Sequence, residues 1–182
     1  MTSEEYVQFR AFARLDGVFF ALLLTASFAC YIVGLSNPTL SLVAMGMVLS
    51  VPFFIAMRLK SFRDNGLGGH LSFLRGWAYV ALLVFYGSLL FALVQYLYFA
   101  FLDHGYFMKM IQELMDSPDS QEVINQYATK EVFDQMISEL SQVRPIDFSL
   151  SMLQANIFLG VLLGLPIAAL MKSGRESKKD SY

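Results

Sequence analysis

Four stretches of this chain carry no charged residue: Gly17–Leu35, Leu40–Met57, Trp77–Leu102 and Phe148–Met171. They run for 19, 18, 26 and 24 residues. A helix rises about 1.5 Å per residue and the hydrocarbon core of a bilayer is about 30 Å thick, so each run can cross it or nearly so. Backbone amides in lipid must be satisfied within the protein, which leaves helices or a closed barrel. Barrel strands are about ten residues long and alternate in polarity, a pattern these runs do not show. The chain therefore reads as an all-α membrane protein, one domain over residues 1–182. Its four transmembrane helices fall at about 17–35, 40–57, 77–102 and 148–171. Composition agrees: 15% of the residues are charged, against about 25% in soluble domains.

The charges outside the spans are segregated. Arg10 and Arg14 precede the first span, Arg58, Lys60, Arg63 and Arg75 lie between the second and third, and Lys172, Arg175, Lys178 and Lys179 follow the fourth. The opposite face holds Lys109, Lys130 and Arg144 against nine acidic residues. Basic residues stay on the cytoplasmic side, so both termini and the 172–182 tail are expected there, with residues 103–147 extracytoplasmic. The first span is expected to be a retained helix, because "TASFACYIVG" offers no small-x-small cleavage site. Cys30 is the only cysteine, which excludes an intrachain disulfide and a thiolate metal cluster.

The connector "RLKSFRDNGLGGHLSFLRGW" is the densest charged stretch. Its cations follow from topology, and Gly66, Gly68 and Gly69 suit a tight reversal. It lacks the Gly-Lys-Ser/Thr ending of a phosphate loop. His70 has no metal-binding partner, since His104 belongs to the other face. No cofactor is expected, and no nucleic-acid partner. The sharper reading is a headgroup site in which Arg58, Lys60, Arg63 and Arg75 contact anionic lipid, each cation contributing about 1 kcal/mol.

Small residues recur every four positions at Ala13, Gly17, Ala21, Thr25 and Ala29, and again at Asn156, Gly160, Gly164 and Ala168. Such faces allow close helix approach, within the bundle or in a homodimer. Gln95, Gln154 and Asn156 are polar inside spans, and a hydrogen bond joining the helices of Gln95 and Gln154 is expected. Asp16 is expected to pair with a basic residue of the connector. Pro52 and Pro166 lie within spans. Between residues 103 and 147, the apolar positions Phe107, Met110, Ile111 and Leu114 mark an amphipathic helix. Val123, Ile124 and Tyr127 continue the pattern, then Val132, Phe133, Met136, Ile137 and Leu140. Ser117 and Pro118 supply a helix start between them. Two or three short amphipathic helices are predicted, beside an aromatic belt of Tyr96, Tyr98, Phe99, Tyr106 and Phe107.

The runs "FRDNGLGGHLSFLRGW", "VQYLYFAFLD" and "FLGVLLGLPIAALMK", the last followed by a basic tail, resemble the domain-of-unknown-function 4199 family. These are small bacterial inner-membrane proteins with four predicted spans. Arg63, Asp64, Gly68, Gly69, Leu71, Ser72 and Phe73 match its connector. The resemblance implies no catalytic residue. It also implies an association with glycosyltransferases that use a polyprenyl-phosphate sugar carrier. The expected function is thus a non-enzymatic inner-membrane partner or scaffold of a membrane enzyme. A lipid-binding or lipid-translocating protein is the alternative, and a small transporter or channel subunit the third. Intramembrane carboxylate chains and inverted repeats are missing, which disfavours the last.

Overall fold

Each charge-free run lies within a longer helix, apart from Leu35 just past the end of the first. The computed structural model describes residues 3–118, 120–121 and 130–173, and these contain helices and no strand. Helix α1 is Ser3–Gly34, α2 Pro38–Ser61, α3 Phe73–Leu97, α4 Tyr106–Met115, α5 Lys130–Gln142 and α6 Pro145–Met171. A π-helical turn extends α2 over Phe62–Gly66 and another extends α3 over Tyr98–Leu102. The four long helices, α1, α2, α3 and α6, are long and apolar enough to cross a membrane. Val123, Ile124 and Tyr127 lie outside the described residues, as does most of the basic tail.

Helix α1 begins well before Gly17. Its first turns carry charge that a helix tolerates at a bilayer edge: Arg10 sits 5.6 Å from the Tyr6 ring centroid, and Arg14 Nε donates to the Arg10 carbonyl. At the other end Asn37 caps α2, its Oδ1 accepting from Thr39 N at 3.1 Å, with Pro38 at the first helical position. Helices α2 and α6 run through Pro52 and Pro166. The connector closes through Gly68 and Gly69, both with positive φ, where a side chain would be strained.

Helix α3 is the central element, flanked by α1 and α6, while α2 packs mainly on α1. The small-residue faces explain this order. A Cβ on Gly17 would lie 2.8 Å from the Tyr86 Cβ, and one on Gly87 would lie 2.8 Å from the Gly17 carbonyl oxygen. On the other side, Gly164 meets Val80, Gly160 meets Val84, and Ala168 lies against Gly76. These pairs set an antiparallel register of α3 on α6. Gly160, Gly164 and Ala168 of the second small-residue face, and Ala13, Gly17 and Ala21 of the first, are therefore buried inside the bundle, whereas Asn156 is half-buried. Thr25 is half-buried and Ala29 exposed.

The register also accounts for a bond that does not form. Gln154 falls opposite Leu90, on an exposed part of the seam, whereas Gln95 is buried and its Oε1 has no partner among the described residues. The expected Gln95–Gln154 link between these helices is absent because the two side chains differ in level and in face.

At the end away from the connector, α4 meets the bundle. Asp103 starts it, its carboxylate accepting from Gly105 N and Phe107 N at 3.1 and 3.0 Å. Tyr106 hydroxyl bonds Ser36 in the α1–α2 link. Phe28, Tyr98, Phe99, Phe107 and Phe148 form a chain of edge contacts beneath. Ser117 Oγ accepts from Ser120 N at 3.4 Å. The best-packed core lies at the opposite end, around Ile55, Leu59, Phe62, Leu71, Tyr79 and Leu83.

Candidate functional site at the connector end

Three helices meet on one carboxylate. Asp16 of α1 is 1% exposed. Its Oδ1 accepts from Arg58 Nε of α2 at 2.8 Å and also from Arg58 Nη2. Its Oδ2 accepts from the Tyr79 hydroxyl of α3. A buried carboxylate is tolerated when both oxygens are bonded and its charge is matched, and both conditions hold. The Arg58 guanidinium carbon lies 5.2 Å from the Phe19 ring centroid, a cation–π contact on the α1–α2 surface. Arg58 is thus the connector cation that Asp16 was expected to meet.

Above this cluster the Phe62 ring stacks on Tyr79 with centroids 4.2 Å apart and planes 6° from parallel. Phe9 packs edge-on against both rings. Phe62 and Phe9 then form part of the wall of a cavity of about 770 Å³, bounded by the start of α1, the connector and the start of α3. Arg75 and His70 line it too, with Ser72 and Ser173. Ser173 clasps the connector to the end of α6: its Oγ donates to the Gly69 carbonyl at 2.5 Å and accepts from Leu71 N at 3.0 Å, and its own N–H donates to the Leu71 carbonyl.

The four basic residues of the connector do not form one patch. Arg58 is committed to Asp16. Arg63 Nε bonds Asp64 Oδ1 at 2.7 Å, and its Nη1 reaches the Met171 carbonyl at 3.3 Å. Lys60 is exposed on α2. Arg75 alone of the four lines the cavity. Sequence reasoning missed the part of Tyr79, Phe9 and Ser173. A hydroxyl-bearing aromatic two turns inside a span was a usable signal for Tyr79, whereas nothing local marked Ser173.

The Asp16 cluster braces α1, α2 and α3 against one another through bonds to both carboxylate oxygens. Among the described residues no three His, Cys, Asp or Glu side chains come close enough to hold a metal ion.

The profile of a family described as "Protein of unknown function (DUF4199)" matches residues 15–173. The chain belongs to this family. The DUF4199 match spans α1 from just before Asp16 to Ser173, so it takes in the carboxylate cluster, the connector and the Ser173 clasp. No curated protein and no solved structure matches the chain. Membership of DUF4199 therefore brings no assigned role for any residue.

Proposed function

We propose that this DUF4199 protein is a non-enzymatic, multi-pass protein of the bacterial inner membrane that works by associating with another membrane protein. Its termini lie in the cytoplasm, on the strength of the basic residues gathered at that end. The observation that carries the reading is the uncovered half of the α1 small-residue face. Gly17 is used against α3 and Ala13 and Ala21 are buried, but Thr25 and Ala29 line an apolar groove of about 420 Å³ between the outer halves of α1 and α3. Small residues let a further helix approach closely, and association in lipid depends on such packing. The occupied Asp16 carboxylate supports a binding role over a catalytic one. The partner we favour is a membrane enzyme of the polyprenyl-phosphate glycosyltransferase kind, a preference resting on the family resemblance alone.

Filling the groove tests the reading. Ala29→Phe is compared with Leu22→Phe, which changes an exposed, lipid-facing position of the same helix. Extraction from native membranes with quantitative mass spectrometry is expected to show one integral membrane protein depleted at least five-fold by Ala29→Phe and retained by Leu22→Phe. Sizing by light scattering tells a second copy from a different protein. An unchanged partner profile in both variants would remove the groove as a docking surface.

A further inference from the structure

We infer that the cavity at the connector end is a binding site for the phosphate headgroup of an anionic lipid, with Arg75 as its charged anchor. The first argument is which cation is free. Arg58 is bound to Asp16 and Arg63 to Asp64, whereas Arg75 pairs with no carboxylate among the described residues and lines the cavity. A guanidinium offers phosphate a planar fork of N–H donors, which a diffuse group of lysines does not. Among the described residues, the titratable side chains that line the cavity are Arg75 and His70, neither of them acidic.

The second argument is the lining. Phe9, Phe62 and Leu71 are buried and give the cavity an apolar floor. Arg75, His70 and Gln8 give it polar walls. At about 770 Å³ it has the size of a small-molecule site and far exceeds a bare ion. A ligand that satisfies both surfaces carries its anion on an apolar stem. The third argument is position. The cavity sits where α2 ends and α3 begins, at the limit of the segments long and apolar enough to cross the bilayer. Headgroups of the adjoining leaflet lie at that level.

The test uses the full-length protein in nanodiscs of zwitterionic lipid containing a few per cent phosphatidylglycerol. Bound lipid is counted by native mass spectrometry. Emission of Trp77, the sole tryptophan and two residues from Arg75, is read in parallel. Wild type is expected to retain phosphatidylglycerol over the zwitterionic lipid. Arg75→Gln is expected to lose at least five-fold of it, and Lys60→Gln, which removes one charge from the same membrane face, less than two-fold. Equal losses in the two variants would reduce the site to general surface attraction. If Arg75→Gln does not fold, Arg75→Lys is read instead; it keeps the charge, loses the paired N–H geometry and is expected to bind about two- to three-fold less. A wild-type level in Arg75→Lys together with a wild-type Trp77 response would then overturn the assignment. Inorganic phosphate and glycerol phosphate at millimolar concentration, added to purely zwitterionic nanodiscs, separate the sources of phosphate. Neither is expected to move Trp77 emission. A response matching that to phosphatidylglycerol would make the ligand a soluble phosphate ester and overturn the lipid assignment.

Discussion

A single buried carboxylate decides how much the connector end can bear. Asp16 is almost fully enclosed, while the Arg58 side chain is 26% exposed. Removing either partner therefore has unequal cost. Arg58→Met leaves Asp16 charged and buried, which costs about 3 kcal/mol or more. Asp16→Asn leaves a guanidinium that solvent and headgroups can screen, and about 1 kcal/mol is expected. Unfolding in detergent, followed by circular dichroism, should rank Arg58→Met below Asp16→Asn, with the double variant recovering part of the loss. A double variant no more stable than Arg58→Met would mean that the pair does not act as a unit. The sequence made half of this legible. Asp16 at the edge of an apolar run calls for a cation, and the connector offers several. Which cation, and that Tyr79 supplies the second bond, depended on how α1, α2 and α3 rotate, and no residue spacing records that.

At the scale of helices, four-residue spacing proved informative because it reports backbone approach directly. Gly160 admits Val84 and Gly17 admits Tyr86 at distances that a side chain would occupy. Gly160→Leu and Ala21→Leu should each destabilise the bundle by about 1–3 kcal/mol, as overpacking does. Ala29→Leu, on an exposed position, should change stability by less than about 0.5 kcal/mol. Thermal unfolding of the three variants in one detergent provides the comparison. Equal stability of Gly160→Leu and Ala29→Leu would remove the α3–α6 seam. Polar residues in the spans were harder to place from sequence. Gln95 and Gln154 each lie near the helix end away from the connector, but level alone does not fix face, and a helix rotates about 100° per residue. The amphipathic α4 was legible in its periodicity, whereas its docking on the bundle depends on Ser36 meeting Tyr106, seventy positions apart.

For the whole molecule, order of helices and order of charge make one argument. Long uncharged runs are forced into helices by the solvent they cross, so four long helices could be read directly from composition along the chain. The central place of α3 could not, because all four runs look equally apolar and only packing distinguishes the helix flanked on both sides. Orientation is a further question, on which charge bears. Ten of the thirteen Lys and Arg residues fall at the end that holds the connector, and nine of the fifteen acidic residues fall at the other. An excess of that size in short loops predicts cytoplasmic basic ends. Cysteine placed at Ser120 should accordingly react with a membrane-impermeant maleimide in intact cells, and cysteine at Ser177 only after the membrane is opened. The native Cys30 is replaced by Ala for this measurement, which is mild because it lies partly buried within a span and forms no bridge. Reaction at Ser177 and silence at Ser120 would invert the protein. The cavity with Arg75 would then face the other side of the membrane, the acidic segment would face the cytoplasm, and the headgroup site would have to draw its lipid from the opposite leaflet.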